Sequence, residues 1–190
     1  MPGIILNKGM NKLSGHVNGK DVLLVGNSQS ILGAHLGHKI DSFEFVTRFN
    51  LSIAHLNSCT GKKTNAWVFA MARESVCQKI YRLSEIKPEL CVRHQRHPDP
   101  NLPFDFIPLD VVISEVQKDL KTDLDPSVGI CTLWYLLNCC ETKRISLAAF
   151  DSFLKPNFYA KRLIRSNHPA EEESQYIRNL VTRKKIFLLN

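Results

Sequence analysis

Long apolar runs are missing from this 190-residue chain. The longest uncharged apolar stretch, from Pro126 to Cys140, falls short of the ~20 residues that a bilayer core demands. Residues 1–20 are rich in Gly and Asn and contain no continuous apolar segment, so a secretory leader is not expected. Cysteine pairing signals are also missing. Cys59, Cys77, Cys91, Cys131, Cys139 and Cys140 form no C-x-x-C and no regular spacing. Adjacent Cys139 and Cys140 do not supply the paired Cys/His spacing that zinc prefers, so free thiols in a reducing compartment are expected. No repeat or low-complexity segment is present. The six histidines outside the C-terminal region (His16, His35, His38, His55, His94 and His97) show no i,i+4 pairing with an acid that would suggest a metal site.

What remains is an ordinary globular balance, 44% hydrophobic and 23% charged. It excludes disordered, collagen-like and coiled-coil chains and suits one domain with one core. We expect a single unit over 1–190, with an arm at 1–20 and a core at 21–190. Lys and Arg number 25 against 18 Asp and Glu, a formal charge of +7. Residues 141–190 hold ten Lys/Arg and five Asp/Glu and so carry +5 of it. Such a basic end suits a phosphorylated small molecule, an anionic lipid face or nucleic acid. Nucleic acid is disfavoured, because no RNP motif, zinc finger or helix-turn-helix accompanies the charge.

Asp21 to Val25 is a short apolar run stopped by Gly26-Asn27, the pattern of a buried parallel strand. The spacing predicts one helix from Ser28 to Lys39, strands at Phe45–Phe49 and Ala66–Phe69, and a helix from Arg73 to Leu83. Strand-like pieces follow at Leu90–Val92 and Phe104–Ile107, on either side of a Pro-rich loop at 97–100. An apolar helix is predicted from Val128 to Cys139, a strand from Arg144 to Phe150, a charged helix after Pro169, and an edge strand at Lys185–Leu189. Alternating strands and helices imply an α/β fold, a Rossmann-like sandwich with a mostly parallel central sheet. Ligands in such sheets bind beyond the carboxyl ends of the strands. The loops starting at Gly26, Asn50, Asp125 and Asp151 are therefore the places to search.

Gly26-Asn27-Ser28 is a strand-to-helix turn that can let a phosphate approach the backbone. It is neither a full dinucleotide fingerprint nor a Walker A loop. Taken alone it is equally a plain structural turn. Pro126-Ser127-Val128-Gly129 opens an apolar helix: Pro presets the first turn, Ser127 can cap it or face a ligand, and Gly129 lets a ligand come close. Asp123-Leu124-Asp125 matches the D-x-D of metal-using sugar transferases, but short acidic patterns are common and no strand leads into this one, so no metal is assigned to it. His168 precedes a helix whose first turn holds Glu171, Glu172 and Glu173, a negative setting that favours the imidazolium. Its plainer reading is an exposed loop residue.

Taken together and in order, these segments resemble the eukaryotic-type sialyltransferase family of glycosyltransferases. The family's large motif is matched by Val22–Asn27, Gly37–Asp41 and Phe45–Asn50, its small motif by Pro126–Gly129 and the helix and strand that follow, and its very small His-x4-Glu motif by His168 and Glu173. The resemblance implies a Rossmann-like fold and a metal-independent transfer of sialic acid, or a related ulosonic acid such as Kdo, from a CMP-sugar to a glycan hydroxyl. It places the CMP portion against Gly26, Asn27, Ser28, Asn50, Ser127, Val128 and Gly129, with His168 as general base and Tyr159 and Glu173 in support. No cofactor is implied beyond the CMP-activated donor. The family's third motif has no histidine here, and Phe158-Tyr159 stands nearest to it. The cysteine pair of luminal members has no counterpart within 21–50 or 125–128. The partners implied are the CMP-sugar, a glycan or glycolipid acceptor, and peripheral contact with an anionic membrane. The location expected is cytoplasmic, including the inner membrane face. The competing expectation is a non-catalytic nucleotide- or glycan-binding module on the same fold.

Overall fold

The computed structural model describes residues 10–69, 79–82, 84–95, 105–151, 155–159 and 168–189. Its strands are β1 (Asp21–Val25), β2 (Phe45–Phe49), β3 (Ala66–Phe69), β4 (Leu90–Gln95), β5 (Asp105–Pro108), β6 (Arg144–Ala148) and β7 (Phe187–Leu188). Its helices are α1 (Met10–Val17), α2 (Ser30–Ala34), α3 (Gly37–Asp41), α4 (Leu109–Leu120), α5 (Val128–Cys139) and α6 (Ala170–Thr182), with a 3-10 turn at Asn50–Ala54. The strands form one sheet in the order β5-β4-β3-β2-β1-β6-β7, and every neighbouring pair is parallel. From β1 the chain steps outward through β2 to β5, then returns to pair β6 with the other edge of β1. The order therefore reverses at β1, which places a crevice over its carboxyl end.

Alternation along the strands divides the core. Val22 and Leu24 of β1, Phe45 and Phe49 of β2, and Ile145 and Leu147 of β6 point to one face, where they pack with Leu13 and Val17 of α1, Val112, Val116 and Leu120 of α4, and α5. Leu23, Val25, Val46 and Ala148 point to the other face, against Ile31 of α2 and Ile40 of α3. A strand covered on both faces has no solvent side to keep polar, which explains the unbroken apolar run of β1. Each such Leu, Ile or Val contributes about 1.5–3 kcal/mol by leaving water.

Several expectations need correction. The helix expected over Ser28–Lys39 is two short helices, because His35 takes the left-handed conformation (φ 49°) and ends α2. The strand expected to reach Phe150 stops at Ala148, since Ala149 is also left-handed (φ 56°). α4 was not expected. Its buried Val112, Val116 and Leu120 recur every four residues and form one helical stripe. The N-terminal stretch 1–20 includes α1, whose Leu13 and Val17 belong to the core. Of the helix expected over 73–83, residues 79–82 are helical, and the rest lies outside the described residues, as does the Pro-rich loop. Cys59, Cys91, Cys131, Cys139 and Cys140 are free thiols. Among the described residues, no helix is long and apolar enough to cross a membrane.

Candidate active site

The carboxyl ends of β1, β2 and β6 and the amino end of α5 open onto one cleft of about 750 Å3, its mouth included. Gly26, Asn27, Ser28, Asn50, Ser127, Val128, Gly129, Tyr159, His168 and Glu173 all line it. So do Phe49, Phe150, Asp151, Lys155, Asn157 and Ile177, which sequence reasoning did not select. Asp151 had one visible signal: it opens the loop after β6.

The turn after β1 is held by the segment 155–159. Phe158 N–H donates to the Asn27 carbonyl (2.8 Å), and Gln29 N–H to that of Pro156 (2.8 Å). This pairing brings the Tyr159 hydroxyl to the Asn27 amide, whose Nδ2 donates to it at 3.3 Å. Asn27 Oδ1 is buried and has no hydrogen-bond partner among the described residues. An acceptor of this kind is stabilised when a ligand donates to it. The Tyr159 ring stacks on His55 at 5.4 Å, and burial raises its phenol pKa.

Ser28 sits differently from expectation. Only 5% exposed, its hydroxyl donates to Asp151 and accepts from Ser30 N–H (3.1 Å) and Ser30 Oγ–H (2.9 Å). With its proton and both lone pairs engaged, Ser28 is a buttress for the turn rather than a free ligand contact. The glycines also act differently. A Cβ on Gly26 would lie 2.3 Å from the Ala149 carbonyl oxygen, and one on Gly129 would lie 2.9 Å from the Phe150 ring. Both glycines make room for the end of β6 and for Phe150, which packs edge-on to Phe49 at 6.0 Å.

Asn50 adopts φ 49°, a conformation that Asn tolerates better than most residues. The Trp67 indole donates to its carbonyl at 2.7 Å. Two residues earlier, fully buried Arg48 donates to the carbonyls of Lys63 (3.0 Å) and Thr60 (2.9 Å) and to Thr64 Oγ1 (3.1 Å). Burial lowers its pKa to about 10, a shift that Asp41 opposes. Arg48 therefore ties the loop after the 3-10 turn to β2 and holds Asn50 at the cleft.

Ser127 caps α5 by accepting from Ile130 N–H at 3.3 Å. Glu173, 2% exposed, reaches across from α6. Its carboxylate accepts from Ser127 N–H at 2.6 Å and from Ser127 Oγ–H at 3.0 Å. Desolvation raises the Glu173 pKa, while the Ser127 bonds and nearby His168 oppose the shift. With its proton on Glu173, Ser127 offers a ligand only a remaining lone pair. His168 Nδ1 lies 2.7 Å from the Asp125 carbonyl oxygen. A carbonyl can only accept, so Nδ1 carries the proton and the neutral ring has its lone pair on Nε2. Asp123 and Asp125 are exposed. Among the described residues, no group of three His, Cys, Asp or Glu is placed to hold a metal.

The fold and cleft define the class, an α/β protein whose cleft lies at the strand-order reversal. Residues 16–100 match the family model of glycosyltransferase family 29 (sialyltransferase). Solved sialyltransferases share the fold. A mammalian sialyltransferase in complex with Gal-beta-1-3GalNAc-ortho-nitrophenol is 16% identical, with a TM-score of 0.60 over 96% of this chain and 78% of that one. CstII from Campylobacter jejuni in complex with cytidine-5'-monophosphate is 16% identical, with a TM-score of 0.61 over 90% and 79%. The monofunctional alpha-2,3-sialyltransferase Cst-I from the same organism is 13% identical, with a TM-score of 0.61 over 99% and 78%. Among curated proteins, no sequence matches. The family model covers residues 16–100, under half of the chain, and the solved sialyltransferases show that the fold is shared.

Proposed function

We propose that this chain transfers sialic acid, or a related ulosonic acid such as Kdo, from a CMP-sugar to a glycan or glycolipid hydroxyl, without a metal and with His168 as general base. The base role rests on one observation: the Asp125 carbonyl holds Nδ1–H and so leaves the Nε2 lone pair as the proton acceptor. In the step proposed, the acceptor hydroxyl gives its proton to Nε2 as its oxygen attacks the anomeric carbon. The bond to the phosphate oxygen breaks, and CMP leaves with the electron pair. The first N–H groups of α5, at Val128 and Gly129, are suited to the charge that develops on that phosphate. Asn27 Oδ1, the Asn50 side chain and Tyr159 would orient the nucleotide.

The test is transfer from CMP-sialic acid by the His168→Ala variant. A positioned base contributes about 10²–10⁴-fold, so turnover should fall at least about a hundredfold. CMP affinity should hold, and stability should drop by only the ~1 kcal/mol of one hydrogen bond. Near-normal turnover would return His168 to a loop role. CMP binding without transfer by the unmodified protein would leave a binding module. Activity should also survive EDTA, and loss that Mg²⁺ or Mn²⁺ restores would overturn the metal-free reading.

A further inference from the structure

The loop after β6 brings a carboxylate to the cleft that the donor-site residues above do not include. Asp151 lines the same cavity as Asn27 and Tyr159, and the Ser28 hydroxyl donates to its Oδ2. Because Ser28 is engaged by Ser30 as well, it is held in place by the turn and fixes the direction of this carboxylate. Among the described residues, no salt bridge neutralises Asp151. A carboxylate fixed in this way, with no neutralising partner among the described residues, disfavours the donor's phosphate and sugar carboxylate, so those groups belong elsewhere in the cleft, at the N–H groups of α5 beside His168. Asp151 must instead meet a part of the ligand that donates hydrogen bonds. A vicinal diol offers two O–H donors to one carboxylate, the arrangement by which an acid beside a strand end holds ribose in dinucleotide folds.

We propose that Asp151 reads the ribose hydroxyls of the donor nucleotide, with Ser28 as the positioning residue that aims it. The inference rests on the transferase reading for the identity of the nucleotide, yet it has a separate readout. Dissociation constants for CMP, 2′-deoxy-CMP and UMP are measured by calorimetry on the unmodified protein and on the Asp151→Asn and Asp151→Ala variants. The unmodified protein should prefer CMP over 2′-deoxy-CMP by about tenfold or more, the size of one charge-assisted hydrogen bond. In Asp151→Ala that ratio should approach one, while the CMP-to-UMP ratio stays as it was. Asp151→Asn keeps an acceptor for Ser28, so it preserves the turn and should lie between the two. Ser28→Ala, which leaves the carboxylate in place but unaimed, should lower the ribose preference without touching the base preference. Equal binding of CMP and 2′-deoxy-CMP by the unmodified protein overturns the proposal while leaving the transferase reading intact. A collapse of the CMP-to-UMP ratio in the variants overturns it in favour of contact with the cytosine amino group. Ribose discrimination without sugar transfer would support the Asp151 role and sink the transferase reading.

Discussion

Glu173→Ala is the most informative single change, because one buried carboxylate joins α6 to the amino end of α5. The substitution removes the acceptor for Ser127 N–H at 2.6 Å and for Ser127 Oγ–H at 3.0 Å. Hydrogen bonds to charged groups are worth about 1.5–3 kcal/mol each. Two effects reduce the sum. Ser127 is half-buried, so water can reach part of what is lost, and the ionised carboxylate bears a desolvation cost that its raised pKa records. The net expectation is a loss of about 2–4 kcal/mol, or a melting temperature lower by about 5–15 °C for a chain of this size. Glu173→Gln keeps an oxygen for Ser127 N–H and removes the charge that burial disfavours, so it should cost less than about 1 kcal/mol. The pH dependence follows with a definite sign. Folding raises this carboxyl's pKa, so above the ordinary glutamate value the folded state holds more protons than the unfolded state. Its contribution to stability is therefore fully present below that value, falls as pH rises through the raised folded pKa, and stays lost above it. Denaturant unfolding across mildly acidic to neutral pH should show this slope in the unmodified protein and a flatter profile in Glu173→Gln. Equal destabilisation by the two substitutions, or a Glu173→Ala loss under 0.5 kcal/mol against the ~2 kcal/mol minimum expected, would refute this account of the contact.

Two further predictions concern the frame of the cleft. Gly26→Ala drives a methyl to 2.3 Å from the Ala149 carbonyl oxygen, a backbone clash that no rotamer relieves. It should destabilise by at least about 1–3 kcal/mol and weaken CMP binding, and a normal melting curve would show that the β6 end can yield. Arg48→Ala strips the donor from the Thr60 and Lys63 carbonyls, so about 3 kcal/mol or more should be lost at about 1–3 kcal/mol per stranded group. Rapid proteolysis near residues 57–64 should accompany that loss, and unchanged protease resistance would count against Arg48 as the tether.

Legibility in the sequence followed the range of the interaction. β1, β2, β3 and α5 could be bounded because their apolar runs and their stops at Gly26-Asn27, Asn50 and Pro126 are local signals. α4 was missed although Val112, Val116 and Leu120 are spaced as a helix, because the segment follows Pro108 directly, without a turn or cap to announce it. The split between α2 and α3 depends on His35 adopting a left-handed conformation, which nothing in its neighbours requires. The cleft lining was largely legible, since each of its loops follows a strand in a parallel sheet. The partnerships inside it were not. Ser28 with Asp151, Asn27 with Tyr159 and Ser127 with Glu173 are separated by 123, 132 and 46 residues. Residue type and spacing alone do not reveal that Ser28 faces a carboxylate, or that Glu173 secures a neighbouring helix.

The central place of β1 has a consequence for synthesis in the cell. One edge of β1 is covered early by β2, whereas the other waits for β6, and the Asp21–Arg144 pair at its base spans 123 residues. At ribosomal speeds of roughly 5–20 residues per second, β6 emerges about 6–25 s after β1. Through that interval the apolar β1 strand of the nascent chain carries an open row of amide and carbonyl groups, a surface for holding chaperones or for a neighbouring chain on the same message. Yield in a heterologous host should therefore respond to growth temperature and chaperone supply more than to changes at the cleft. Arrested nascent chains that end before residue 144 should be bound by chaperones, and chains long enough to expose β6 should be released.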